Sequence, residues 1–175
     1  MAAVGSAGAS PCMPVLRQVG RPGIIRAMVG ILIISHGRLA TELLAAARTI
    51  EPTLVEQTRA ITLEWKLDPE AARGEIARAL RELDTGDGVI VLTDMFGGTP
   101  TNLSLGFLDP ARSEVVTGVN LPMLIKLAGA RRQDAHGLRQ LAKLVAEKGQ
   151  KSIYVVSEIL ERRPGGERGH GPTHG

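Results

Sequence analysis

Two rhythms alternate along the chain: short unbroken apolar runs, and longer stretches in which apolar residues return at helical spacing. Ile31-Leu32-Ile33-Ile34 is a run of strand length that stops at Ser35-His36-Gly37. Behind that turn Leu39, Leu43, Leu44 and Ala47 recur at helical spacing before Ile50, which predicts a strand, a tight turn and a helix in succession. Pro52 breaks the pattern, and the loosely alternating Thr58 to Trp65 predicts a second strand. Asp68-Pro69-Glu70 predicts a helix start, with Asp68 as N-cap and Pro69 at the first helical position. Ala72, Ile76, Ala79, Leu80 and Leu83 then share one face.

After a turn at Asp84-Thr85-Gly86-Asp87-Gly88, Val89 to Asp94 predicts a third strand. It is apolar nearly throughout, as a strand covered by helices on both faces should be. Met95-Phe96-Gly97-Gly98-Thr99-Pro100 opens a helix expected to reach about Leu108, with Thr99 as N-cap. Ser113 to Val119 predicts a fourth strand, and Asn120-Leu121-Pro122 leads into a short helix through Leu127. Asp134 starts a longer helix that turns Leu138, Leu141, Leu144 and Val145 inward, and Gly149 stands where a helix stop is favoured. Ile153 to Val156 is a brief fifth strand, which must lie at an edge or pair with another chain.

Strands alternating with helices mean an α/β fold: a doubly wound, mostly parallel sheet with helices on both faces. The periodic part covers residues 28–157. A Gly-, Ala-, Pro- and Arg-containing leader over 1–27 and a Pro-, Gly- and His-rich tail over 158–175 read as disordered. Met28 stands directly before the first strand and is an alternative start of translation. An organelle transit peptide is the other reading of a leader that holds arginines and no acid.

Aromatic residues make up only 2% of a chain that is 43% apolar, so the core must be built from Leu, Ile, Val and Ala. The net charge of +3 belongs to the leader, through Arg17, Arg21 and Arg26. Residues 28–157 hold 15 basic and 15 acidic side chains, and the tail holds three of each. A neutral body with almost no rings to stack on bases argues against nucleic acid. The single cysteine, Cys12, permits neither an internal disulfide nor a cysteine metal cluster and fits a reducing, cytoplasmic setting. No apolar run approaches the roughly 20 residues that span a bilayer, so no direct membrane insertion is expected.

The candidate chemistry lies at two strand ends. In open α/β sheets ligands sit outside the carboxyl ends of strands. If the first and third strands are neighbours, His36 and Asp94 face each other there. A carboxylate on one ring nitrogen fixes the tautomer and leaves the lone pair, a nucleophile, on the other. Gly97 and Gly98 let the backbone turn its N–H groups toward an anion, and Thr99 adds a hydroxyl. The helix amino ends suit a phosphoryl group of about −1.5 to −2 charges. Each feature alone has a plainer reading: His36 as a surface residue, Asp94 as a helix cap, Gly97-Gly98-Thr99-Pro100 as a connector. In one crevice they point together to an anion or phosphoryl site. No metal site or cofactor is implied, since His136 lies near a helix start and His170 and His174 lie in the tail. Neither G-x-S-x-G nor a P-loop lysine is present, which removes hydrolase and NTPase readings.

Three co-linear motifs carry a resemblance: Ile33 to Ala40 (IISHGRLA), Thr93 to Asn102 (TDMFGGTPTN) and Thr117 to Leu124 (TGVNLPML). Over roughly Met28 to Val156 the chain resembles the enzyme IIA component of the mannose family of the bacterial phosphoenolpyruvate-dependent sugar phosphotransferase system. The resemblance implies a transient phosphohistidine at His36, on Nε2, with Nδ1 held by Asp94. Thr99 and the backbone around Gly97 and Gly98 would contact the phosphoryl oxygens. The phosphoryl group would arrive from the phosphocarrier protein HPr and leave to an enzyme IIB. The resemblance also implies a homodimer that exchanges its last strand, and it makes Met95, Phe96 and Met123 candidates for a partner-docking rim. Many members fuse IIA to IIB, whereas this chain stops after IIA, so the acceptor is expected to be a separate enzyme IIB. Two rival readings are a regulatory module that reports phosphorylation state without sugar transport and, ranked last, the phosphoryl-donor subunit of dihydroxyacetone kinase.

Overall fold

A computed structural model of the chain describes residues 27–64, 66, 68–132 and 137–161. Four parallel strands, β1 (Gly30–His36), β2 (Thr58–Leu63), β3 (Val89–Thr93) and β4 (Ser113–Thr117), form one sheet in the order β2-β1-β3-β4. The register pairs Ile34 with Ile61 on one side and with Thr93 on the other, so β1 and β3 are central. From β1 the chain winds outward to β2, then returns to β3 and winds the other way. The strand order therefore reverses between β1 and β3, where a doubly wound sheet opens its binding crevice.

Alternate residues of the central strands face opposite layers, as the period of two requires. Ile31, Ile33, Ile90 and Leu92 pack against α1 (Leu39–Ile50), α4 (Leu121–Ala130) and α5 (Leu138–Gln150). Leu32, Ile34, Val89 and Val91 face α2 (Pro69–Leu83) and α3 (Thr99–Leu105). Burial on both faces explains why β1 and β3 read as unbroken apolar runs. Asp68 caps α2 as expected, its carboxylate accepting the Glu70 N–H at 3.1 Å.

At the amino end of the sheet Arg131 is buried, 5% exposed, and among the described residues it forms no ion pair within 4 Å. Its guanidinium donates instead to oxygens of the segment between α1 and β2: Thr53 O at 3.1 Å, Glu56 O at 2.8 Å, Gln57 O at 3.4 Å and Thr58 Oγ1 at 3.3 Å. Burial, with repulsion from Arg132 behind it, lowers its pKa to about 10. The side chain thus remains charged at neutral pH and fastens the end of α4 to the entry of β2. Gln57, held in this way, has φ +47, the only non-glycine residue among the described ones in the left-handed region.

Several expectations change. Met123 is 2% exposed and belongs to the core, not to a docking rim. It packs into the core shared by α4 and α5, where Gly149 leaves space for it. A Cβ at Gly149 would meet Met123 Sδ at 2.7 Å, and α5 runs on to Gln150, so this glycine permits close packing rather than stopping the helix. The expected helix start at Asp134 and strand end at Trp65 lie outside the described residues, as do residues 1–26 of the expected leader and 162–175 of the tail. The expected fifth strand at Ile153–Val156 does not form in the single chain: 153–155 pair with no strand, and α6 (Val156–Glu161) crosses the expected domain boundary. An isolated apolar segment has no ladder partner of its own, and Ile153, at 77% exposed, is left facing outward.

Candidate functional site

The site begins with Ser35. Its side chain is fully buried, and its Oγ accepts the Ala40 N–H at 2.7 Å. This bond satisfies one of the open amides at the start of α1, for which Arg38 supplies no side-chain cap. Gly37, with φ +52, makes the sharp turn between strand and helix that a side chain would resist. Between those two fixed points the His36 side chain is directed off the end of β1.

Asp94 follows β3 immediately and reaches His36 twice. Its Oδ2 accepts the His36 backbone N–H at 2.9 Å and lies 2.8 Å from Nδ1. Its Oδ1 accepts the Met95 N–H at 2.9 Å. Burial is the largest single influence on this carboxyl and favours the neutral acid. The hydrogen bonds from the His36 backbone, the His36 ring and Met95, with attraction to the imidazole, together outweigh it and hold the pKa below the ordinary aspartate value. An ionised carboxylate can only accept, so Nδ1 carries the proton, and in the neutral ring the lone pair is then on Nε2. The His36 side chain is 23% exposed and Asp94 11%, so the pair is sheltered but the ring reaches the surface.

The loop after Asp94 lies against the imidazole. A Cβ at Gly98 would stand 2.9 Å from His36 Cε1 and 3.2 Å from Met95 Cγ, so only glycine fits beside the ring without displacement. Gly97 has φ +79 and is exposed. Gly98, not Thr99, is the N-cap of α3; Thr99 is the first helical residue, with an exposed side chain. α3 ends at Leu105, short of the expected Leu108, so its dipole is small. Thr101, a threonine in the first turn of a helix, carries no distinctive signal in the sequence. Its hydroxyl donates to Met95 O at 2.7 Å and contacts Thr93 Oγ1 at 2.7 Å. Asn102 donates to Gly97 O at 3.2 Å, a second tie from α3 to the loop.

His36, Asp94, Gly97, Gly98 and Thr99 thus gather at the β1/β3 crevice. Met95 and Phe96 stand beside them, 57% and 78% exposed, with Leu39 49% exposed. Phe96 is therefore no core residue. Cys12, His136, His170 and His174 lie outside the described residues, and among the described residues no cluster of three or more metal-ligating side chains occurs. No helix among them is long and apolar enough to cross a membrane.

Fold and site define a doubly wound α/β domain with a carboxylate-oriented histidine at its switch point. The family model EIIA-man, described as PTS system fructose IIA component, matches residues 30–145. The PTS system mannose-specific EIIAB component of Escherichia coli K12 is 33% identical over 132 residues, which cover 73% of this chain and 39% of that protein. The PTS system fructose-specific EIIA component of Bacillus subtilis is 35% identical over 86 residues, covering 49% of this chain and 58% of that protein. Among solved structures, the phosphotransferase system component EIIA from Streptococcus agalactiae superposes with TM-score 0.67 at 25% identity, over 75% of this chain and 99% of that one. The chain belongs to the EIIA-man family of sugar phosphotransferase IIA components. It spans well under half the length of the E. coli relative.

Proposed function

We propose that this chain is a phosphohistidine carrier that takes a phosphoryl group from HPr onto His36 and passes it to a separate enzyme IIB of a mannose-type sugar uptake system. The observation that carries the reading is the 2.8 Å contact between His36 Nδ1 and Asp94 Oδ2 at the crevice of the sheet. In the forward step the Nε2 lone pair forms a bond to phosphorus while the bond from phosphorus to the donor's ring nitrogen breaks. That electron pair returns to the donor ring. The imidazole of His36 gains positive charge as Nε2 is substituted, and the Nδ1–H bond to an ionised Asp94 stabilises it there. Donation to enzyme IIB is the same displacement in the other direction, so no proton need leave Nδ1. Gly97, Gly98 and Thr99 supply the backbone amides and hydroxyl for the phosphoryl oxygens.

Leu39, Met95 and Phe96, exposed around the ring, are the apolar rim on which HPr and enzyme IIB would seat. The active form is a homodimer that exchanges its last strand. In support, β4 lies at an open edge of the sheet. The segment from Ile153 to Val156 is also apolar and 59–77% exposed in the single chain. The test is intact-mass measurement after incubation with phosphoenolpyruvate, enzyme I and HPr. The wild type gains one acid-labile phosphoryl group and His36→Ala gains none; undiminished labelling of the variant removes His36 from the reaction. Labelling that no enzyme IIB can discharge would favour the regulatory module instead.

A further inference from the structure

We infer that Thr101, backed by Thr93, is a positioning residue for the His36–Asp94 pair, an inference that rests on the phosphocarrier reading. Thr101 lies on α3 and is 2% exposed; Thr93 ends β3 and is fully buried. A hydroxyl has one proton. Because Thr101 Oγ1 donates to Met95 O, its contact with Thr93 must be the Thr93 hydroxyl donating to it. The polarity of the chain of bonds is thereby set: Thr93 to Thr101, Thr101 to the Met95 carbonyl.

Met95 is then held at both ends. Its carbonyl is fixed by Thr101, and its N–H is fixed on Asp94 Oδ1 at 2.9 Å. The other oxygen of the same carboxylate receives Nδ1 and the backbone N–H of His36. Rotation of the Asp94 side chain would break all three bonds. The His36 backbone N–H and the Met95 N–H together oppose that rotation, and the Thr101 hydroxyl holds Met95 in place for its share. Met95 Cγ also lies against Gly98, the residue that flanks the imidazole. A polar pair is thus buried beneath the site, tied to the loop through the Met95 carbonyl. Its effect is to carry the rigidity of the sheet into a glycine-containing loop.

The experiment compares Thr101→Val, Thr101→Ser and Thr93→Val with the full chain, using phosphorylated HPr as donor. Thr101→Val keeps the volume and removes the donor. It should lower kcat for phosphoryl acceptance about tenfold and leave KM for HPr within twofold, while Thr101→Ser returns kcat to within about twofold of wild type. Long-range ¹H–¹⁵N spectra of His36 should show the Nδ1–H tautomer alone in wild type and a mixture in Thr101→Val. A purely structural threonine would lower the melting temperature without moving that spectrum. Should Thr101→Val not fold, Thr93→Val carries the test, with about threefold loss of kcat expected. Wild-type kcat and an unchanged His36 spectrum in the folded variant would overturn the inference, as would a serine variant as slow as the valine one. Failure of the wild type to be labelled at His36 would instead overturn the phosphocarrier reading, and the spectra would still decide whether Thr101 orients the ring.

Discussion

Gly98→Ala separates a steric role at the site from a role in the fold. The backbone at Gly98 has φ −76 and ψ 165, a conformation any residue adopts, so alanine adds no backbone strain. By narrowing the unfolded chain it would even stabilise by about 0.4–1 kcal/mol. The cost is local. The new Cβ would stand 2.9 Å from His36 Cε1, where a relaxed carbon pair keeps about 3.5–4.0 Å. Ring or loop must therefore yield by roughly 0.5–1 Å. A misplacement of about that size at a reacting group costs up to about 10²-fold in rate. Rapid-quench measurement with phosphorylated HPr should show acceptance slowed ten- to hundredfold, while thermal unfolding stays within about 1 kcal/mol of wild type. A variant that accepts at the wild-type rate would show that the loop is not seated against the imidazole, and the packing of the site would have to be redrawn.

The other predictions concern the carboxylate, the buried arginine and the chain end. Asp94→Asn loses a charge-assisted hydrogen bond of about 1.5–3 kcal/mol and should slow phosphoryl acceptance about ten- to hundredfold; an unchanged rate would reduce Asp94 to a loop anchor. Asp94 and Asp84 both have pKa values below the usual aspartate range: burial opposes ionisation, and hydrogen bonds to the His36 backbone and to Arg112 respectively lead the effects that outweigh it. Since the unfolded chain binds the extra protons, the stability these carboxylates add is complete above about pH 4 and is lost as pH falls through the lower folded values. Denaturant midpoints measured from pH 5 to pH 2 should fall in that sense, and less steeply in Asp94→Asn. Arg131→Ala leaves carbonyls between α1 and β2 without their donor and should cost about 2–4 kcal/mol, lowering the melting temperature by roughly 10 °C; a shift of only a degree or two would show that solvent replaces the guanidinium. Val155→Pro should turn a dimer into a monomer in sedimentation velocity if the last segment pairs with another copy, and an unchanged oligomeric state would refute strand exchange.

What was legible in the sequence follows from how local each cause is. The unbroken apolar runs of β1 and β3 and the Asp68-Pro69 start of α2 are decided by residues close together in the chain, and they appear as expected. Their adjacency, needed to bring His36 to Asp94, was an assumption about strand order that the β2-β1-β3-β4 arrangement bears out. Features decided by contacts between distant segments were not legible. Met123 is a rim candidate only through the family resemblance; α4 has no clear polar face to place it, and only the approach of Gly149 from α5 shows where it points. Arg131 looks like a surface cation after an apolar helix, and nothing nearby in the sequence announces the carbonyls it collects. Thr93 and Thr101 are ordinary residues for a strand end and a helix start, and their pairing exists only after β3 and α3 have packed. Ile153 to Val156 has strand composition, yet in the single chain this segment pairs with neither edge strand of the sheet, and composition alone does not announce that.

The most direct test of the histidine as phosphoryl carrier is a combined ³¹P and long-range ¹H–¹⁵N spectrum of the protein after incubation with phosphoenolpyruvate, enzyme I and HPr. One phosphoryl group on Nε2 of His36, with Nδ1 still protonated against Asp94, is the expected result. A phosphoryl group on Nδ1, on another residue or on none would contradict it.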